Sequence, residues 1–177
     1  AWFGQLRTTL AAGTWDVRTE EDGRPAPGLY LALLCFHLSR AELEAFADRL
    51  KIFRSDLTLL RQVLDLRDDE PKLDQPELSN RQIHALLRHS SSASRMICSL
   101  CCGSERIRNR LRLYETELRH VRPVVDGAYL KSLGLKPSPL FSRLLNAVRD
   151  ARLDGEIQTV EEEKALIADL LSERGNA

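Results

Sequence analysis

Apolar side chains recur at three- and four-residue steps almost from one end of this chain to the other, and that rhythm restricts it to helices. Leu43, Phe46, Ala47 and Leu50 follow i, i+3, i+4, i+7, and Ile107, Leu111, Tyr114 and Leu118 lay the same stripe on a later segment. Start signals agree with the stripes. Ser39 with Glu42, Ser79 with Gln82 and Thr159 with Glu162 each have the spacing at which a hydroxyl and a carboxylate or amide satisfy each other's free N–H groups at a helix start. The alternation of period two that marks strands is nearly absent. The expected fold class is therefore all-α, a multi-helix body plus a small helical tail with no substantial sheet.

Helices are expected over residues 2–12, 29–38, 40–51, 56–67, 80–89, 93–102, 105–121, 140–153 and 160–172, with a short helical turn near Tyr129. Residues 14–28 read as a loop, because Gly23, Pro25, Pro27 and Gly28 surround the acidic run at 20–22. Residues 68–76 hold two prolines and four acidic side chains and mark the expected boundary between an N-terminal helical group, 1–75, and a C-terminal body and tail, 76–177.

Charge removes the simplest function class. With 26 basic against 26 acidic side chains, no domain-wide basic field exists, and any nucleic-acid site must come from local clustering. No apolar run approaches the roughly 20 residues of a membrane-spanning helix, so a soluble chain is expected. No signal peptide heads the sequence, whose first residues read as the middle of a helix, as in a fragment of a longer protein. Three of the four cysteines crowd together at Cys98, Cys101 and Cys102, a poor pattern for a disulfide scaffold and one that suits the reducing cytoplasm.

Catalytic patterns are missing: there is no phosphate-binding glycine loop, no His-Glu-x-x-His pair and no nucleophile elbow. Asp68, Asp69 and Glu70 offer carboxylates for Mg²⁺ or, equally, a solvated acidic loop. Cys98 and Cys101 have a zinc-knuckle spacing with His84 and His89 upstream; on a helix, however, the same thiols beside Ile97 and Leu100 serve as small core residues.

Two clusters point to phosphate. Arg106, Arg108, Arg110 and Arg112, followed by Arg119 and Arg122, make one helix locally basic. With its apolar stripe turned inward, Arg108 and Arg112 share an outer face at i, i+4, either to reach phosphates or simply to meet solvent. The second cluster lies in residues 124–163, VVDGAYLKSLGLKPSPLFSRLLNAVRDARLDGEIQTVEEE. Asp126 and Gly127 make a turn, Gly134 ends a short helix with positive φ, and Pro137 and Pro139 set φ for the next helix. Lys136, Arg143 and the Ser138 hydroxyl stand beside that helix start, an arrangement that suits an anion but also occurs in plain helix connections.

This run resembles the C-terminal tail of bacterial tRNA nucleotidyltransferases and poly(A) polymerases, the CCA-adding and A-adding enzymes. They carry a similar D-G-x-x-L-x-x-L-G-L-x-P-G-P stretch, an apolar helix, and then L-D-G-x-I-x-T-x-E-E. Here those positions are Asp126, Gly127, Leu130, Leu133, Gly134, Leu135, Pro137, Ser138 and Pro139, then Leu153, Asp154, Gly155, Ile157, Thr159, Glu161 and Glu162. Ser138 replaces the middle glycine, and bulkier Phe141 or Ser142 replaces a later one. The resemblance, which covers about forty residues, implies an all-α region that binds tRNA or other RNA; from their own placement Arg108, Arg112, Lys136, Ser138 and Arg143 are the residues expected to reach it. Nucleotide transfer from ATP or CTP with Mg²⁺ would belong to a separate N-terminal head whose Gly-Gly-x-x-Arg-Asp type motif this sequence lacks. No cofactor and no activity are then expected for the chain alone. The alternative is a helical protein-interaction or dimerisation module that does not bind RNA.

Overall fold

The computed structural model describes residues 2–17, 19 and 25–175, with side chains described through residue 172. The expected acidic run at 20–22 lies outside the described residues. Among these residues the fold is all-α, with eleven helices: α1 (Trp2–Ala11), α2 (Pro27–Cys35), α3 (Arg40–Leu50), α4 (Arg54–Asp68), α5 (Glu70–Leu73), α6 (Asn80–Leu87), α7 (Ser92–Cys101), α8 (Glu105–Thr116), α9 (Gly127–Ser132), α10 (Pro139–Leu153) and α11 (Val160–Gly175). None of them is long and apolar enough to cross a membrane.

All three reciprocal caps form. The Ser39, Ser79 and Thr159 backbone N–H groups donate to Glu42, Gln82 and Glu162 at 2.8, 2.9 and 2.9 Å. The N–H groups of those three residues donate back to the hydroxyls. These bonds hold the Glu42 and Glu162 carboxyls below the usual carboxylate range.

Several expectations need correcting. The break at 68–76 contains α5, because Pro71 fits the first turn of a helix and Leu73 is fully buried. The loop at 14–28 ends two residues early, since Pro27 opens α2. The helix expected through 121 stops at Thr116. Glu117 leaves helical geometry (φ −127°, ψ −64°), and Leu118–His120 form a 3-10 turn ahead of Pro123. On α3 the stripe is only half used: Leu43 and Ala47 are buried, but Leu50 is 56% exposed.

Packing defines two compact units, Ala1–Leu78 with Ala85–Thr116, and Ser79–His84 with Glu117–Ala177. The boundary expected after residue 75 rests on loop composition instead; α7 and α8, on its C-terminal side, pack with the first unit. In that first unit α7 is the central element, packed against α4, α8, α2 and α1, and Met96, Ile97 and Cys98 are fully buried on it. Arg67 closes the end of α2 by donating to the Phe36 and Leu38 carbonyls, both at 2.7 Å. The second unit has its own core of Val125, Leu130, Leu144, Val148 and Ile167, flanked by Tyr129, Phe141 and Leu170.

Candidate nucleic-acid interface

The arginines of α8 divide into two pairs with different work. Arg106 and Arg110 turn toward the chain after α5. Arg110 donates to the Leu73, Gln75 and Pro76 carbonyls at 2.5, 2.6 and 3.2 Å, and Arg106 donates to the Asp74 carbonyl at 2.7 Å. Burial, with Arg106 close by, pulls the Arg110 guanidinium below its ordinary pKa. These two cations close a helix end; Arg110 is buried there, and Arg106 keeps an exposed edge.

Arg108 and Arg112 occupy another face and share an open cleft of about 640 Å³ with residues of α1 and α7. Arg108 spends one donor on the Cys102 carbonyl at 2.9 Å. Arg112 is exposed and, among the described residues, its guanidinium carries no hydrogen bond or ion pair. The outer-face pairing expected from the i, i+4 spacing is therefore present in space.

In the second unit, the hairpin between α9 and α10 is built as its residues require. The Asp126 carboxylate accepts from the Ala128 and Tyr129 N–H groups at 2.9 and 3.0 Å and so starts α9. Gly134 ends it at φ +80°, a conformation that disfavours any side chain. Gly127 is different: its φ is not positive, and an added Cβ would meet only Phe141 at 3.8 Å. Pro139 fills the first position of α10, preceded by Ser138 in an extended conformation whose hydroxyl makes no capping bond. Lys136, Pro137, Ser138, Pro139 and Arg143 are all exposed. Among the described residues neither Lys136 nor Arg143 has a polar partner. The hairpin thus presents two uncommitted cations and one uncommitted hydroxyl.

The remaining motif residues hold the scaffold. Asp154 accepts from the Arg81 N–H at 2.9 Å and pairs with its guanidinium at 3.0 Å, while Asn80 donates to the Leu153 carbonyl at 2.9 Å. Gly155 then turns the chain at φ +75°. Glu163, fully buried, accepts from the Val124 and Val125 N–H groups at 3.0 and 2.8 Å and pairs with Arg152. The chain leading into the hairpin is tied down by this carboxylate.

Sequence reasoning missed Glu163, and it also missed Arg95 and Glu115 in the first unit. The latter two form a buried pair at 2.7 Å, 5% and 1% exposed. Glu115 further accepts from the Ser92 hydroxyl at 2.6 Å, and the Arg95 guanidinium lies 4.7 Å over the Tyr114 ring. Burial alone would raise the Glu115 pKa, but the Ser92 hydroxyl and Arg95 outweigh it and hold the carboxyl below its usual range. One sign was legible: Glu115 falls on the stripe of Leu111, Tyr114 and Leu118, and Glu163 stands four residues before inward-facing Ile167.

The candidate metal ligands are spread out or otherwise engaged. Asp68 pairs with Arg67 at 2.8 Å and Asp69 with Lys72 at 2.6 Å. Cys98 is buried with its thiol 3.7 Å from the Val63 carbonyl, and burial pushes Cys98 well up and Cys101 to about 12. Among the described residues no three His, Cys, Asp or Glu side chains converge as a metal would require.

Comparison with known proteins reaches part of the chain. It is 37% identical over 60 residues to the A-adding tRNA nucleotidyltransferase of Geobacter sulfurreducens. Those residues are 34% of this chain and 7% of that enzyme's length. No protein-family model matches. No solved structure matches either. A third of the chain is thus similar to a small part of a tRNA nucleotidyltransferase.

Proposed function

We propose that this chain is the tRNA-positioning region of a tRNA nucleotidyltransferase or poly(A) polymerase, binding RNA while a catalytic head outside it performs the transfer. The observation that carries this reading is the partial similarity to an A-adding tRNA nucleotidyltransferase. The exposed, unpartnered Lys136 and Arg143, flanking the free Ser138 hydroxyl at the start of α10, support it. Phosphates gain there from two cations and from the positive end of the helix, although Pro139 itself has no N–H to donate. Arg108 and Arg112 supply a second cationic element in the first unit. Magnesium and ATP or CTP belong to the head in this reading, and no transfer step passes through residues of this chain.

Binding of tRNA should be salt-sensitive. Lys136→Ala and Arg143→Ala, each removing one cation from a phosphate, should each flatten the log–log salt slope by about 0.7 to 0.9. Unchanged slopes would remove the hairpin from the interface. Incubation with tRNA, Mg²⁺, ATP and CTP should incorporate no nucleotide, and incorporation would defeat the division of labour. A second reading, a helical protein-interaction or dimerisation module, draws on exposed apolar side chains of the first unit, with Phe53 79% and Leu34 64% exposed and the Phe3 and Tyr30 rings 5.7 Å apart. A stable dimer by size exclusion, indifferent to tRNA, would favour it.

A further inference from the structure

We infer that the cleft between α1, α7 and α8 in the first unit is a subsite for a nucleotide of an unpaired RNA strand, an inference that rests on the RNA-binding reading above. Arg108 and Arg112 stand one turn apart on one wall. Gln5, Thr8 and Thr9, at i, i+3 and i+4 of α1, line the same space with an amide and two hydroxyls, of which Thr8 donates to the Gly4 carbonyl at 3.3 Å, and buried Trp15, 7% exposed, closes it from below. Among the described residues no Asp or Glu lines it, although the whole chain is electrically balanced. Two guanidinium groups in a cleft whose described lining holds no carboxylate suit an anion. The Arg112 fork is uncommitted, and Arg108 keeps donors beyond the one given to Cys102.

Amide, hydroxyl and aromatic groups facing that anion site match the sugar and base that accompany a phosphate in a nucleotide. The size of the cleft points to the form of the RNA. About 640 Å³ has room for one nucleotide and not for the width of a duplex, so the occupant inferred is a nucleotide of an unpaired strand. The division on α8 sharpens the assignment: Arg110 is buried against three backbone carbonyls and Arg106 turns to Asp74, whereas Arg108 and Arg112, on the same helix, line the cleft.

The test uses the full chain and fluorescence anisotropy with a short unstructured single-stranded RNA, a blunt RNA duplex of equal length, and AMP as competitor. Thr8→Trp fills the cleft while keeping both arginines; Arg112→Ala, at an exposed side chain without partners, gives a second variant if the first fails to fold. Single-stranded RNA should bind more tightly than the duplex, and each variant should cost it about tenfold; Thr8→Trp, which keeps both arginines, should leave duplex binding unchanged, and Arg112→Ala should weaken the duplex less than the single strand. The Lys136→Ala, Arg143→Ala double variant should weaken both RNAs alike. Equal binding of the two RNAs, or single-strand affinity that neither cleft variant moves, overturns the subsite and leaves the RNA-binding reading standing. Displacement of the strand by AMP in the wild type, lost in Thr8→Trp, supports the subsite, because competition requires the strand to occupy the cleft; AMP that binds there without displacing the strand reassigns the cleft to a free nucleotide and overturns the inference. Failure of every RNA to bind brings down both readings.

Discussion

The two units each bury an acid, and they satisfy it by different means. In the first, Glu115 is held chiefly by side chains, the Arg95 guanidinium and the Ser92 hydroxyl, with one long bond from the Asp16 backbone N–H at 3.4 Å. In the second, Glu163 takes its bonds from the backbone N–H groups of Val124 and Val125, with Arg152 beside it. A carboxylate paired with a side chain can in principle be exchanged together with its partner. One that satisfies backbone donors cannot, because the donors remain whatever replaces it.

The contrast can be broken by substitution. Arg95→Ala strands a buried carboxylate and should cost about 3–5 kcal/mol in urea unfolding, the largest effect expected of any single substitution. Replacing both partners, Arg95→Met with Glu115→Leu, should recover more than half of that loss in the same assay. A double variant as unstable as the single would show that the Leu87 and Ser90 carbonyls, which Arg95 also serves, matter more than the ion pair. Glu163→Gln should cost about 1.5–3 kcal/mol, since it keeps one acceptor but loses the charge that strengthens each bond. A Glu163→Leu variant, with no acceptor, should be worse than the Gln variant, the reverse of the exchange tolerated in the first unit.

Acid sharpens the comparison further. Glu42, Glu115 and Glu162 are all held below the usual carboxylate range, so in mild acid these three groups bind fewer protons in the folded chain than in the unfolded one, outnumbering Glu70, which burial shifts the other way. Their stabilising contribution is complete above the unfolded value, about pH 4.3, and is lost as pH falls through the lower folded values. Urea midpoints should therefore decline progressively below about pH 4.5. The decline should become shallower in Arg95→Met, Glu115→Leu, which removes one of the three. Thr159→Ala should have the smallest effect, about 1 kcal/mol, by removing one cap bond at the start of α11.

Much of the fold was legible because its rules are local. A hydroxyl and a carboxylate three residues apart cap a helix wherever they occur, which is why Ser39, Ser79 and Thr159 mark real helix starts. Gly134 was readable in the same way, since the sign of φ at a helix end is a property of a few residues. α5 was not readable: four residues cannot display a period, and burial of Leu73 supports a turn whose composition reads as loop. The candidate interface was half legible. The i, i+4 spacing of Arg108 and Arg112 placed them on one face, but nothing along the chain showed that α1 would line the space they face.

Sequence alone determined the helical class, the cap positions, the turn at Gly134 and the exposed cations of the hairpin, each set by interactions within a few residues. Only the tertiary structure decided which charges are spent. Arg106 and Arg110 read like Arg108 and Arg112, and Glu163 reads like Glu161. The carbonyls after α5 and the N–H groups of Val124 and Val125 lie more than thirty residues from the side chains that bind them. A buried polar group takes whatever partner packing brings to it, and that pairing is fixed when the helices assemble.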